Sequence, residues 1–243
     1  MSTPLISLVI PAYNEEVLLP VLLESVDVSV TAWAQGPASV EVIVANNAST
    51  DRSALVALSS GAKVVHVADR GSGAARNGGA AAARGQVLCF VDADSRIHPL
   101  TFAAIAAAMD RTDVGGGATG VTLDHWSPAL RLMAALTFPA RLLGIDSGVV
   151  FCRRADFTAI NGYRRDLLVA EDIDFLWRLR RHARQGRQGL VRLSNVEATT
   201  STRKFDKYGH WRFMVALARL ALHRLVSRKR FLRDVRRYWY EDR

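Results

Sequence analysis

Four short apolar runs, Leu5 to Ile10, Val40 to Val44, Lys63 to Val67 and Val87 to Val91, punctuate the first half of the chain. Each is followed by a stretch of helical pattern: Val17 to Ser29, Thr50 to Ser59, Gly73 to Arg84 and Pro99 to Met109. Strand and helix alternating at this spacing predict right-handed βαβ units, hence a parallel sheet with helices on its faces. The fold class is α/β. In such sheets ligands bind beyond the carboxyl ends of the strands. Here those ends read Pro11-Ala12-Tyr13-Asn14-Glu15, Asn46 to Asp51, and Asp92-Ala93-Asp94, so three polar clusters converge on one edge.

After about residue 112 the pattern changes. An extended stretch runs from Val114 through Leu123, an amphipathic helix is predicted from Ser127 to Leu143, and a strand from Gly148 to Cys152. A turn at Asn161-Gly162-Tyr163 precedes a helical segment, Glu171 to His182, and residues 208 to 240 read as one or two basic helices. Hydrophobic residues make up 49% and charged residues 23% of the 243, a balance that excludes wholesale disorder and collagen-like or disulfide-scaffold architectures. Cys89 and Cys152 sit inside apolar runs without C-x-x-C spacing and read as core thiols.

The net charge of +9 is unevenly placed. Residues 1 to 200 hold 19 Lys and Arg against 19 Asp and Glu, whereas residues 201 to 243 hold 13 against 4. Such a tail suits an anionic partner, and at helical spacing Phe213, Leu217, Leu220 and Leu225 share one face of it, which predicts either docking on an anionic membrane surface or packing of that face on the domain with the arginines solvated. The N-terminus lacks the basic n-region of a signal peptide. Arg131, Arg141, Arg219 and Arg224 interrupt the most apolar later stretches, so a cytoplasmic protein, peripheral at the inner face of the membrane where its tail binds, is expected.

The sharpest chemical signal is Phe90-Val91-Asp92-Ala93-Asp94-Ser95. Two carboxylates one residue apart, directly after a buried strand, can hold Mn²⁺ or Mg²⁺ through oxygen ligands and bridge it to substrate phosphates. The plain alternative is an Asp-rich turn or a helix cap at Ser95. The pair Glu171-Asp172 opens a helix, where capping by the macrodipole competes with a role for Asp172 as a base. Arg76, in a glycine-rich approach to an alanine-rich helix, offers a fixed charge to a phosphate, to the carboxylates behind a metal, or to an ordinary salt bridge. Position 76 and the third-strand context disfavour a dinucleotide fingerprint. Among the six histidines only His210 is a candidate extra metal ligand, and no G-x-S-x-G elbow supports a nucleophilic serine.

Taken in order, SLVIPAYNEE, EVIVANNASTD, RGSGAARNGGAAAARG, FVDADS and FCRRADFTAINGYRRDLLVAEDIDFLWRL resemble the inverting nucleotide-sugar glycosyltransferases of family 2, over about residues 5 to 205. The resemblance implies a GT-A fold for residues 1–205, a Rossmann-like, mostly parallel sheet flanked by helices, with 206–243 as a basic helical extension. It implies that Pro11, Tyr13 and Glu15 line the nucleotide pocket, and that Asp92 and Asp94, with Ala93 between them, bind ribose and the metal on the diphosphate. Asp172 takes the place of the family's general base, supported by Glu171, while Arg203 and Lys204 meet the diphosphate from a loop.

Two departures stand out. The family usually carries Asp at the end of the second strand to accept the base N–H, and this chain has Asn46, which can donate as well as accept. The Q-x-x-R-W signature of processive synthases is replaced by RLRRHARQGRQ, which points to transfer of a single sugar. The implied partners are a UDP- or GDP-sugar and a hydroxyl acceptor, a lipid-linked one among the candidates, with no nucleic acid. Competing readings are a nucleotidyltransferase, which lacks its usual glycine-rich, lysine-bearing loop here, and a non-catalytic module that binds anionic surfaces. The module leaves the acidic strand ends unexplained.

Overall fold

The computed structural model describes residues 4–128, 130–132, 135, 148–167 and 170–203. The chain divides into two compact units, Met1–Thr122 with Asp146–Thr200, and Leu123–Ile145 with Ser201–Arg243. Most of the predicted Ser127 to Leu143 helix lies outside the described residues. So do Lys204, His210 and the basic helices of 208 to 240.

The first unit is built on one eight-stranded sheet of order β3-β2-β1-β4-β7-β6-β8-β5. The strands are β1 (Ile6–Ala12), β2 (Val40–Asn46), β3 (Lys63–His66), β4 (Val87–Phe90), β5 (Ser95–Arg96), β6 (Val114–Leu123), β7 (Val150–Arg153) and β8 (Gly189–Thr200). The helices are α1 (Leu19–Ala32), α2 (Ser53–Ser59), α3 (Ser72–Ala81), α4 (Thr101–Met109), α5 (Arg154–Ala159) and α6 (Glu171–Gln185). β1, β2, β3 and β4 pair in parallel, whereas β7 runs antiparallel to both β4 and β6, and β5 antiparallel to β8. The sheet is therefore mixed, and its parallel block is the βαβ half expected from the sequence.

Largely apolar runs form the central strands β1 and β4 because both faces of the sheet are covered there. Along β1, Ile6, Leu8 and Ile10 point into a core with Leu19, Leu22 and Val26 of α1 and Phe102 and Ile105 of α4. Val9 points the other way, with Leu88, Phe90, Phe157, Tyr163, Phe175 and Leu179. Cys89 and Cys152 are buried free thiols in these two layers, and desolvation pushes both well up from the usual thiol range. Ser95 belongs to β5, its hydroxyl 3.0 Å from that of Thr200, so it is not the cap of a following helix.

The glycines of α3 let it lie close on the parallel block. A Cβ at Gly79 would stand 2.4 Å from Cγ1 of Val9 on β1 and 3.4 Å from Cβ of Ala45 on β2. Val9 is fully buried and cannot yield, so Gly79→Val should cost about 1–3 kcal/mol of overpacking, read as a lower midpoint in chemical denaturation. Unchanged stability would mean that α3 is not held against the sheet at this distance.

Candidate active site

Three parallel neighbours end side by side. Ala12 and Asn46 are register partners, and the Val91 N–H reaches Val9 O, so the segments after β1, β2 and β4 leave the sheet at one edge. The first two loops are stapled together. The Glu15 N–H donates to Ser53 Oγ (2.8 Å), the Glu16 N–H to Asp51 Oδ2 (3.0 Å), and the Thr50 N–H to Asn14 Oδ1 (2.8 Å). Burial opposes the charge on Asp51, yet the hydrogen bonds from Ser53 and the Glu16 N–H hold its pKa below the usual value. Asn14 and Ala48 adopt left-handed backbone to make these turns.

Within this frame Glu15 is buried, Pro11 and Tyr13 are half-buried, and the Tyr13 ring carries the Arg70 guanidinium 5.1 Å from its centroid. Asn46 is buried with its amide oriented: Oδ1 accepts the Ser49 N–H (3.1 Å) and Nδ2 faces His66 Nδ1 at 3.3 Å. Asn47 holds the next loop by donating to Val67 O and Asp69 O and accepting the Gly71 N–H at 2.8 Å.

Arg76 is the centre of the constellation. It projects from the second turn of α3, its side chain only 4% exposed, and touches three carboxylates. Nη2 lies 2.7 Å from Asp92 Oδ1 and 3.3 Å from Asp172 Oδ2, and Nη1 lies 3.1 Å from Glu171 Oε1. Glu171 also accepts the Ser72 hydroxyl. The guanidinium rests 5.0 Å from the centroid of Tyr163, which stacks on Phe175 at 4.3 Å and meets Phe90 edge-on. Burial works against the charge on Arg76, but Asp172 and Asp92 outweigh it and hold the guanidinium firmly protonated.

Glu171, Asp172 and Asp174 occupy the first turn of α6, where the macrodipole favours negative charge. The preceding Ala170 is left-handed (φ 61°), a conformation costing about 1–2 kcal/mol for an L-residue other than glycine, so the helix start is held by its surroundings. Asp172 is buried enough to lift its carboxyl from 3.8 to about 6; Arg76 opposes the lift, and Asp92 and Glu171 add to it. The Tyr163 hydroxyl lies beside Asp172, and burial together with that carboxylate pushes the phenol well above its usual range. Asp172 Oδ1 is buried, and the hydrogen bond from the Tyr163 hydroxyl to this carboxylate works against the lift.

Beyond β4 the Asp92 side chain is 54% exposed while Asp94 is buried. Three carboxylates face the single guanidinium of Arg76, an excess of negative charge that suits a divalent cation, and the donors are all oxygen. No group of three or more His, Cys, Asp or Glu side chains that could by itself hold a metal ion is found among the described residues. A cation held by Asp92 and Asp94 would complete its shell with water and phosphate, as Mg²⁺ commonly does. Arg203 belongs to the second unit, its N–H donating to Ser201 Oγ at 3.2 Å.

Sequence reasoning missed Tyr163, Ser72 and Asn77. The Asn77 amide grips the Tyr163 backbone, donating to its O (2.7 Å) and accepting its N–H (2.8 Å), and so ties the Asn161-Gly162 turn to α3. The signal was present as that turn, but nothing in spacing says which helix it meets.

The family model for glycosyl transferase family 2 matches residues 7–152, more than half of the chain. The chain belongs to glycosyl transferase family 2. Relatives include YibD of Escherichia coli, an uncharacterized glycosyltransferase 30% identical over 192 residues, 72% of this chain and 53% of the relative. EpsH of Bacillus subtilis, a putative glycosyltransferase, is 36% identical over 104 residues, 41% of this chain and 28% of that one. The chain thus spans from about a quarter to half the length of these curated relatives. Among solved structures, residues 1–349 of Staphylococcus aureus TarS share the fold with TM-score 0.61 at 21% identity, covering 87% of this chain and 64% of that one. Glucosyl-3-phosphoglycerate synthase of Mycobacterium tuberculosis, in complex with Mn²⁺, UDP and phosphoglyceric acid, does so with TM-score 0.58 at 24% identity, covering 93% and 78%.

In the metal-free protein the Asp172 carboxyl should titrate near pH 6, readable by carboxyl NMR of the parent against Asp172→Asn. Its folded pKa exceeds the ordinary 3.8, so its stabilising contribution is full below about pH 4 and is lost as pH rises through about 6. Titration at or below pH 4 would contradict the burial argument.

Proposed function

We propose that the chain is a metal-dependent, inverting glycosyltransferase that moves one sugar from a UDP- or GDP-sugar to an acceptor hydroxyl. The observation that carries this reading is the joining of Asp172, a carboxylate with a raised pKa, to Asp92 of the D-x-D segment through one buried arginine. A base tuned toward neutrality beside a cation-binding edge is what displacement of a nucleoside diphosphate by a hydroxyl requires. The fold shared with TarS in complex with UDP-GlcNAc, and with glucosyl-3-phosphoglycerate synthase in complex with Mn²⁺ and UDP-glucose, supports a nucleotide-sugar donor.

Asp172 accepts the proton of the acceptor hydroxyl as its oxygen attacks the anomeric carbon. The bond from that carbon to the diphosphate breaks on the opposite face, and the configuration inverts. Glu171, held by Ser72 and Arg76, fixes the start of α6 and hence the position of the base. Arg76 keeps Asp172 ionisable despite its burial. Asp92 and Asp94 would hold Mn²⁺ or Mg²⁺, which when bound neutralises the leaving diphosphate. Pro11, Tyr13, Glu15 and Asn46 line the nucleotide side. Residues 1–205 form the transferase domain in this reading, with 206–243 as its extension. Among the described residues no helix is long and apolar enough to cross a membrane.

A screen of nucleotide sugars with Mn²⁺ identifies the donor by slow hydrolysis. With that donor, Asp172→Asn should bind normally and lose roughly 10²- to 10⁴-fold in turnover. Near-parental transfer would make Asp172 a helix cap only. Asp94→Ala should fold and lose Mn²⁺-dependent affinity for the nucleoside diphosphate in calorimetry, and unchanged affinity would remove the metal assignment.

A further inference from the structure

The arginine-rich run after the acidic pair, RLRRHARQGRQ, takes no part in the chemistry above. On α6 it makes one outward face. Trp177 is 65% exposed, and Arg180, Arg181 and Arg184 are exposed on the turns that follow, with Arg187 exposed just past the helix end. At 3.6 residues per turn Trp177, Arg180, Arg181 and Arg184 fall within a sector of about 100°. The other side of the helix is anchored, with Phe175, Leu176, Leu179 and Ala183 buried. Its remaining basic residues are occupied: Arg178 pairs with Asp174 and donates to Ile160 O and Gly162 O, and His182 lies 3.3 Å from Asp156. No ion pair among the described residues involves Arg180, Arg181, Arg184 or Arg187.

An exposed indole amid guanidinium groups that form no ion pair among the described residues is complementary to a phosphate-rich interface. The ring has an apolar body and a polar N–H suited to the headgroup level, and guanidinium forks match phosphate oxygens. We propose that this face of α6 docks the protein on an anionic lipid surface. The first turn of α6 is acidic, so the helix reverses sign along its length; that disfavours an extended polyanion lying along it and suits end-on contact through the later turns. Asp172 lies five residues before Trp177, about 8 Å along the axis at 1.5 Å per residue. At about 100° per residue Asp172 stands about 140° round the helix from Trp177, so this docking face and the base lie on different sides of α6. The surface stands on the α6 face alone and does not depend on the proposed sugar transfer.

Co-sedimentation of the full chain with phosphatidylcholine vesicles, with and without phosphatidylserine, tests it. Binding should require phosphatidylserine and weaken with salt. Each arginine near an anionic surface contributes roughly five-fold in partitioning, so Arg181→Ser with Arg184→Ser should weaken binding about 10- to 30-fold. Trp177→Ser should weaken it further. A control, Lys63→Ser with Arg111→Ser, removes the same charge from other exposed positions and should bind as the parent does. Circular dichroism checks that each variant is folded. The proposal is overturned if the parent binds neutral and anionic vesicles equally or not at all. It is equally overturned if the Arg181/Arg184 variant binds like the parent, as when the C-terminal tail alone holds the surface, or if the control loses as much.

Discussion

A buried guanidinium surrounded by carboxylates is the interaction on which this site depends. Arg76 leaves water almost completely, a loss that only close anionic partners can offset. It finds them on two segments, Asp92 after β4, 16 positions along from Arg76, and Glu171 with Asp172 at the start of α6, 95 and 96 positions along. One side chain thus fixes the edge proposed to bind metal against the proposed base. It also moderates the pKa of Asp172, which burial and two neighbouring carboxylates would otherwise raise further.

The rest of the unit serves to hold that arginine in place. Glycine at position 79 brings α3 onto β1 and β2, and Asn77 one residue along from Arg76 clamps the turn that carries Tyr163. The stacked Tyr163 and Phe175 then form an apolar floor under the guanidinium, which keeps water from one side and strengthens the ion pairs. On the other side of the edge, reciprocal hydrogen bonds between the β1 and β2 loops shape the pocket proposed for the nucleotide.

The parallel block was legible because its central strands β1 and β4 are buried on both faces and read as largely apolar runs, while β2 and the edge strand β3 keep shorter apolar cores. β1, β2, β3 and β4 all lie within two residues of their predicted bounds at either end. β8 was not legible: GLVRLSNVEATT mixes charged, polar and apolar residues, since much of it is only half-buried, and no period survives. β6 was read as an extended stretch from Val114 through Leu123, and the strand occupies those residues. Its Gly117 lets the strand approach β8, where a Cβ would collide with the Val191 carbonyl, a tertiary reason invisible in the local pattern. In the candidate site, Asp92, Asp94, Glu171, Asp172 and Arg76 were conspicuous as charges where strands end and helices begin. Tyr163 was not, because its place beneath Arg76 follows from the fold of a turn 86 residues from its Asn77 partner.

The central claim, that Arg76 and the acidic start of α6 act as one electrostatic unit, is tested most directly by a double-mutant cycle in folding stability. Arg76→Met and Glu171→Gln, singly and together, should give a coupling energy within the range of about 0.5–3 kcal/mol found for residues in one ion-pair network, with the double variant less destabilised than the sum of the singles. Additivity within about 0.3 kcal/mol would contradict the account, since that is how independent sites behave.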